Sequence, residues 1–287
     1  MIKHLFFYTL LLLPFCSLAI SLDKVRFHNE ATDTTKISKI LIEASEIRTD
    51  KPQERVDFIA RQFLGTPYVA HTLEDSIEML TINLDELDCT TFVETVIALA
   101  YTIGEYRTSW RDYVYNLERI RYRDGAKTNY ASRLHYICDW VINNTHRGMF
   151  IDATPRLPKC DYAIKSIDFM SKHRDSYPAQ SDSATFAAIK QIEIGYRNHR
   201  IPYIKKEDIK NKEEINALRP GDIVALTTNV KGLDVSHLGI ITFVDGVPHL
   251  LHASMKAGEV IIDPLPLGEY LRRSRSLTGI RVIRLND

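Results

Sequence analysis

A cysteine stands where a strongly predicted helix begins. Cys89 follows Asp88, and the residues after it place apolar side chains on one face at spacings of three and four. Asp88 is a residue type that commonly caps helices, which would put Cys89 at the first helical position. The unpaired backbone N–H groups and the helix dipole at that position can lower the pKa of a thiol and can hold an oxyanion. Cys89 is therefore a candidate nucleophile.

A purely structural role for this cysteine is the alternative. Cys89 shares the apolar face of its helix with Phe92 and Val96, so it could be a small buried core residue. The negative charge of Asp88 also opposes ionisation of the adjacent thiol. A catalytic role is preferred only if the fold supplies a base that can take the thiol proton.

Candidate bases lie in two apolar strands joined at Asp245 and Gly246. This dipeptide strongly favours a two-residue hairpin turn. Such a turn places His252 diagonal to His237 on the same side of the sheet, near enough for one imidazole to orient the other. A three-residue loop would shift the register by one residue and put His249 on that side instead. A thiol, a base and a third polar group are the arrangement that nucleophilic catalysis needs.

The elements that must position these residues fall into two groups. Helical spacing occurs over residues 52–64 and again after Cys89. Further helices are predicted near 109–120, 132–146 and 183–196. From Pro220 onward the chain changes to short β-branched runs separated by Gly, Pro and Asp. Helices first and an antiparallel sheet after them predict an α+β domain.

The N-terminal segment 1–19 has the parts of a secretory signal peptide. Lys3 precedes an apolar stretch, and small residues follow it up to an expected cleavage point after Ala19. The stretch is too short to cross a bilayer, and no later segment is apolar enough to span one. We expect a bacterial protein that is periplasmic or secreted. A lipid anchor on Cys16 is not expected, because the bulky Phe15 precedes it.

The composition narrows the class of partner. The 287 residues include 37 basic and 37 acidic side chains, so the formal net charge is zero and we expect no nucleic-acid partner. A small or neutral ligand is more consistent with this charge balance than a nucleic acid is. The wide spacing of the motifs favours one enlarged domain over residues 20–287, and we expect a monomer.

Three cysteines remain once Cys16 leaves with the signal segment. In an oxidising compartment an odd number leaves at least one thiol free unless chains cross-link. We pair Cys138 with Cys160, with two buried free thiols as the alternative.

Five short motifs carry the residues discussed above. They are RQFLGTPYV at 61–69, LDCTTFVE at 87–94, RPGDIVALT at 219–227, SHLGI at 236–240 and LHAS at 251–254. In the same order they resemble the G-x-P-Y, D-C-x-x-F, P-G-D, H-x-G-I and H-A motifs of the NlpC/P60 superfamily of papain-like cell-wall hydrolases. Each motif alone is weak, whereas five in the same order are specific.

The resemblance implies a papain-like core, in which the helix that bears the cysteine packs on an antiparallel sheet. It implies Cys89 as the nucleophile, His237 as the base and His252 as the residue that orients the base. It also implies that Tyr68 is an active-site tyrosine near the thiol. The chemistry of such hydrolases requires no metal and no cofactor.

Two departures from the superfamily pattern point to one branch. Thr90 and Thr91 follow the cysteine where members usually have Ser and Gly, and the nucleophile and base lie much farther apart than in compact members. Both features resemble a Bacteroides-type branch described as N-acetylmuramoyl-L-alanine amidase-like. Its members detach stem peptides from the muramic acid sugar of muropeptides. An insertion at about 105–215 is expected to be mostly helical and to carry substrate specificity.

Three further residues are predicted to support the site or to bind substrate. Asp88 and Ser236 stand next to the nucleophile and the base, and Arg133 lies in the motif SRLHYICDW at 132–140. The motif combines cationic, aromatic and imidazole side chains that suit carboxylates and sugars. An ordinary amphipathic helix is the alternative interpretation of 132–140.

The first functional hypothesis is a cysteine amidase that acts on peptidoglycan or muropeptides through an acyl-enzyme. A γ-D-glutamyl-diamino acid endopeptidase on stem peptides is the enzymatic alternative. A catalytically silent peptidoglycan-binding module is another. Cys89, His237 and His252 could also bind zinc, although no Cys-x-x-Cys or His-x-x-x-His spacing supports that reading.

Overall fold

The computed structural model describes residues 25–286 except 48, 50, 76 and 211. The predicted signal segment, with Cys16, lies outside these residues. Within them the α-helices are α1 (Glu30–Ser45), α2 (Pro52–Arg61), α3 (Cys89–Gly104), α4 (Trp110–Arg121), α5 (Ile137–His146), α6 (Phe169–Lys172), α7 (Ser183–Gly195), α8 (Lys212–Ala217) and α9 (Leu267–Arg273). No helix in the described part of the chain combines the length and apolarity needed to span a membrane.

The strands form one large and one small sheet, so the architecture is mixed α/β. They are β1 (Val25–Phe27), β2 (Leu80–Ile82), β3 (Phe150–Asp152), β4 (Cys160–Lys165), β5 (His199–Lys205), β6 (Ile223–Thr228), β7 (Val235–Val244), β8 (Val247–Ser254), β9 (Glu259–Pro266) and β10 (Leu277–Leu285). The large sheet has the strand order β4-β5-β10-β6-β7-β8-β9, with β3 also paired to β10. All of its pairs are antiparallel, as the sequence predicted.

The turn between β7 and β8 has two residues, which confirms the predicted hairpin. Asp245 and Gly246 both adopt positive φ, at 49° and 77°, as a type I′ turn requires. Thr242 therefore pairs with His249, on the side of the sheet away from His237. The two-residue turn sets the register of every side chain on the hairpin.

Helix α3 is the central helix of the fold. Every residue over 91–100 is buried, and the helix packs against α1, α2 and α4 on one side and against β7 and β8 on the other. Asp88 caps the helix as predicted, because its side chain accepts hydrogen bonds from the backbone N–H groups of Thr90 and Thr91. The Thr91 hydroxyl completes a capping box by accepting from the N–H of Asp88. Cys89 is thus held at the first position of a rigid, buried helix.

The segment 105–215, expected to be mostly helical, also supplies three strands to the large sheet. Helices α4, α5 and α7 fall where the sequence predicted them, whereas β3, β4 and β5 were missed. Strand β4 lies at the sheet edge with its side chains half-buried or exposed, so its sequence lacks the β-branched apolar run that marks the other strands.

The preferred disulfide is not present. Cys138 lies on α5 and Cys160 on β4, and both are free thiols, as is Cys89. Burial raises the pKa of Cys138 well above its ordinary value, and the neighbouring Asp234 carboxylate adds to the effect. The alternative interpretation, two free thiols, is therefore the correct one, although Cys160 is only half-buried.

A buried ion pair ties α3 to its neighbours. The Glu94 carboxylate on α3 lies 2.6 Å from the Arg121 guanidinium on α4, and each residue is only 2% exposed. Arg121 also donates a hydrogen bond of 2.7 Å to the backbone carbonyl of Thr81 in β2. Removal of one partner would leave a charge in the interior without its counter-ion.

We expect Glu94→Gln to lower the free energy of unfolding by about 3 kcal/mol or more, because the Arg121 charge then stays buried and unpaired. Urea unfolding would measure the change. Glu269→Gln is the matched control, because it breaks an exposed ion pair with Arg273 and should cost about 1 kcal/mol or less. Equal losses for the two variants would contradict this account of α3.

Candidate active site

The sulfur of Cys89 lies at the junction between α3 and β7. The backbone N–H of Leu238, the residue after His237, lies near enough to the sulfur to lower the pKa of the thiol, and so does the N–H of Cys89 itself. Tyr68 and Tyr270 lie close enough for a Cys89 thiolate to affect the ionisation of their hydroxyls. The predicted nucleophile is thus surrounded by backbone donors and two tyrosines.

Two imidazoles meet on the face of the sheet, as the two-residue hairpin predicted. Nε2 of His237 on β7 lies 2.6 Å from Nδ1 of His252 on β8, and the rings are perpendicular. The contact occupies one nitrogen of each ring. Nδ1 of His237 is therefore the nitrogen left to accept a proton from a thiol.

A β-bulge sets the orientation of His237. Leu226 on β6 pairs with His237, but the next residue, Thr227, pairs with Val235, so Ser236 is an extra residue on β7. The side chain of Ser236 is exposed. A bulge bends the strand and redirects the side chains next to it. Ser236, predicted as site support, thus lies in the bulge next to His237 with its side chain exposed.

Gly239 lets β8 approach β7 beside the imidazole pair. A Cβ at this position would lie 2.6 Å from the Leu250 side chain and 3.0 Å from the Leu251 carbonyl. Such distances are shorter than van der Waals contact, so a side chain here would push the strands apart. The glycine of the H-x-G-I motif thereby protects the His237–His252 contact.

The Cys89 thiol is neutral at rest, which corrects the expectation that its helix position would lower its pKa. Burial raises the pKa of the Cys89 thiol to about 11, and the adjacent Asp88 carboxylate adds to the effect. The desolvation of a thiolate here outweighs the nearby N–H groups. Asp88 thus has two opposed effects, because it caps α3 and disfavours the thiolate.

The histidines are neutral as well. Burial lowers the pKa of His237 to about 4. Burial and the neighbouring His237 lower the pKa of His252 to about 3. A neutral thiol and a neutral imidazole can react only if the proton moves as the sulfur attacks, so the geometry favours general-base chemistry over a preformed ion pair.

Tyr68 remains protonated beside the thiol. Burial, together with the nearby Cys89 and Asp88 groups, raises the pKa of its hydroxyl to about 12. A protonated phenol can donate a hydrogen bond to a substrate or to a developing negative charge. The predicted position of Tyr68 near the thiol therefore agrees with the structure.

Only one backbone donor of the first helical turn is left for an oxyanion. Thr90 and Thr91 donate their N–H groups to the Asp88 side chain, and Phe92 donates to the Asp88 carbonyl. Within the described residues, the N–H of Cys89 contacts no acceptor other than its own sulfur. It is therefore the candidate oxyanion donor of the turn.

Arg133 is not available to a substrate in the way that its motif predicted. The residue is only 6% exposed, and its guanidinium lies 2.9 Å from the Glu74 carboxylate and 3.3 Å from that of Glu78. The guanidinium also sits 4.9 Å from the centre of the Tyr130 ring. These contacts enclose Arg133 inside the protein. The alternative of one amphipathic helix over 132–140 is only half right, because α5 begins at Ile137 and Arg133 lies outside it.

Two residues at the site were missed by the sequence analysis. Asp263 on β9 places Oδ2 3.7 Å from Nε2 of His252. The ring of Tyr270 on α9 packs perpendicular to His252, with ring centres 5.6 Å apart. His249, the rival third residue, instead bonds through Nδ1 to the backbone carbonyl of Asp263 at 2.8 Å.

The zinc hypothesis finds no support in the arrangement of these residues. Among residues 25–286, apart from the four not described, no group of three His, Cys, Asp or Glu side chains is arranged to hold a metal ion. The nearest nitrogens of His237 and His252 bond to each other instead.

Comparisons with known proteins agree on one family. A family model described as AmiA-like, N-acetylmuramoyl-L-alanine amidase-like, matches residues 58–280. Crystal structures of an N-acetylmuramoyl-L-alanine amidase from Bacteroides uniformis superpose with TM-scores of 0.78 and 0.77, at 37% and 38% identity. Each alignment covers 82% of this chain and 99% of that amidase.

Two further structures share the fold. A proposed xylanase from Bacteroides fragilis is 41% identical, with a TM-score of 0.74 over 79% of this chain and 98% of that one. A Legionella pneumophila protein at 21% identity has a TM-score of 0.68 over 90% of this chain and 96% of its own, and this likeness concerns the fold alone. No functionally curated protein sequence gave a significant match.

We expect Asp88→Asn to lower the pKa of Cys89, which is about 11 in the native protein. Asn caps helices as well as Asp does, so α3 keeps its cap while the charge beside the sulfur is lost. The alkylation rate of Cys89, followed against pH by peptide mass spectrometry, would report the change.

Asp85→Asn is the control for that titration. Asp85 lies on the same loop but pairs with Lys36, so its loss should leave the midpoint for Cys89 in place. If the pH midpoint of Cys89 alkylation is unchanged in Asp88→Asn, or shifts equally in both variants, then the Asp88 charge does not affect the pKa of Cys89.

Proposed function

The chain belongs to the AmiA-like, N-acetylmuramoyl-L-alanine amidase-like family, and on that premise we propose that it is a cysteine amidase. It would cut the amide bond that joins the stem peptide to the muramic acid sugar of muropeptides. The observation that carries the proposal is the hydrogen bond between His237 on β7 and His252 on β8, with the N–H of Leu238, the residue after His237, near the Cys89 sulfur. The family name supplies the class of substrate.

The reaction begins with two neutral groups. As the Cys89 sulfur attacks the amide carbonyl carbon, its proton passes to Nδ1 of His237, and the carbonyl oxygen becomes an oxyanion. The N–H of Cys89 and the Tyr68 hydroxyl are the proposed donors to that oxygen. Proton transfer of this kind contributes about 10² to 10⁴ in rate. Cys89 and His237 are both neutral before the reaction. The protein therefore does not have to stabilise a thiolate in the resting enzyme.

The later steps return the proton. The imidazolium of His237 gives its proton to the leaving amide nitrogen as the C–N bond breaks, which leaves a thioester on Cys89. Water then attacks the thioester, His237 takes a proton from that water, and the carboxylic acid and free thiol separate. His252 orients the His237 ring and shares its charge during both steps.

The helix-on-sheet arrangement also supports placing the core in the NlpC/P60 superfamily of papain-like hydrolases. Cys89 begins a buried helix that packs against β7 and β8, the strands that carry His237 and His252, and the motifs occur along the chain in the expected order. We further propose that the protein acts outside the cytoplasm, where peptidoglycan lies. The signal-like segment 1–19 supports that location.

A stem-peptide endopeptidase is the principal competing function. The same nucleophile and base would serve it, because the two activities differ in which amide bond is placed beside Cys89. Mass spectrometry of digested muropeptides separates them. Free sugar together with an intact stem peptide supports the amidase, whereas a trimmed stem still attached to sugar supports the endopeptidase.

Cys89→Ala should reduce muropeptide turnover by at least about 1000-fold, because it removes the nucleophile of a unit that works together. Cys160→Ala is the matched control, since Cys160 is also a half-buried free thiol but lies on β4. The same digest, with circular dichroism to check folding, would measure both. If the folded Cys89→Ala variant turns over muropeptides as fast as the native protein, the cysteine mechanism is wrong.

The pH profile of kcat/KM should be flat through neutrality and should fall on the acid side near pH 4. The pKa of His237 is lowered to about 4 by burial, so below that pH the ring is protonated and cannot take the thiol proton. Steady-state rates at subsaturating muropeptide would test this. An acid limb at the ordinary histidine pKa of about 6.5 would contradict the neutral pair.

A further inference from the structure

We propose that Asp263 is a positioning residue that fixes the tautomers of His252 and His237 so that the base can accept the thiol proton. The inference rests on the cysteine mechanism proposed above. Asp263 lies on β9, the strand beyond β8, and reaches the imidazole pair from the side opposite His237. Its effect on Cys89 would pass through two rings.

Two neutral imidazoles in contact can share their protons in two ways. In the first, Nε2–H of His237 donates to Nδ1 of His252, and Nδ1 of His237 carries a free lone pair. In the second, Nδ1–H of His252 donates to Nε2 of His237, and Nδ1 of His237 carries the proton instead. The distance of 2.6 Å fits both. Only the first arrangement leaves His237 able to act as a base.

The far nitrogen of His252 distinguishes the two arrangements. In the competent arrangement Nε2 of His252 carries a proton, and in the other it presents a bare lone pair. This nitrogen is buried and has no hydrogen-bond partner among the described residues. The nearest charged atom to it is Oδ2 of Asp263, at 3.7 Å. A carboxylate attracts an N–H and repels a lone pair, so Asp263 favours the competent arrangement.

Asp263 is held in place for this role. Its Oδ1 accepts a hydrogen bond of 2.9 Å from the N–H of Leu265, and its backbone carbonyl is held by Nδ1 of His249 at 2.8 Å. The carboxylate is only 13% exposed. One oxygen is therefore anchored and the other is left to face His252. His249, which the register excludes from the imidazole pair, instead anchors the residue behind it.

The separation of 3.7 Å is longer than a hydrogen bond, so Asp263 acts through its charge. The rings that contact His252 are those of His237 from β7 and Tyr270 from α9, and neither carries a charge at neutral pH. As His237 gains a proton in the transition state, positive charge spreads toward His252, and Asp263 would stabilise it.

Asp263→Asn gives a sharp test, because Asn keeps the shape and can still accept from Leu265 through its amide oxygen. Its amide N–H groups then face Nε2 of His252 with their positive ends and attract a lone pair there, which favours the incompetent arrangement. Nitrogen-15 NMR of the histidine rings would observe the tautomers directly. We expect Nε2 of both rings to be protonated in the native protein, and Nδ1 of both in Asp263→Asn.

Kinetics of the same variant provide a second readout. We expect kcat on muropeptide to fall by about 100-fold with little change in KM, because the loss concerns proton transfer and leaves substrate contacts intact. Glu269→Gln is the control, since it removes an exposed carboxylate from the adjacent helix α9. It should leave both the tautomers and kcat unchanged.

The outcomes separate this inference from the proposed function. Native rings already protonated at Nδ1, or tautomers unaltered in folded Asp263→Asn, would overturn the role of Asp263 whatever the activity. If Asp263→Asn switches the tautomers while Cys89→Ala keeps its turnover, that pair of results would support the effect of Asp263 on the rings and reject the cysteine mechanism. A tautomer switch that leaves kcat unchanged would limit Asp263 to a structural role and so reject the inference.

Discussion

The hydrogen bond between His237 and His252 is the contact on which the site depends. It exists because a two-residue turn sets the register of β7 against β8, and because Gly239 lets the strands lie close together. The bulge at Ser236 then redirects the base. If this contact were lost, the imidazole would have no fixed orientation and Cys89 no positioned partner.

Burial determines the protonation states of Cys89, His237 and His252. Cys89 and His237 are half-buried and His252 is buried, so desolvation raises the pKa of Cys89 and lowers those of His237 and His252. The three groups are therefore neutral before reaction. In the proposed mechanism the Cys89 proton moves to His237 only as the sulfur–carbon bond forms. Asp263 places a negative charge next to the pair on its far side, and it is anchored there by backbone contacts.

The predicted fold was right where the local pattern was strong. The capped helix α3 and strands β6 to β10 follow from apolar periodicity and turn residues, and they form the expected elements. Strands β3, β4 and β5 were missed, because pairing with β10 and with one another defines them more than their own sequences do. The ion pairs of Arg133 were not foreseen for a similar reason, since its partners Glu74 and Glu78 come from a distant loop.

The sequence by itself determined the cap before Cys89, the hairpin turn and hence the face shared by His237 and His252, because each depends on neighbours within a few residues. Only the tertiary structure decided that the thiol is neutral, since desolvation depends on everything packed around it. It also brought Asp263 behind His252. That placement depends on the register of β8 against β9, where a shift between His249 and Leu251 interrupts the pairing next to Asp263.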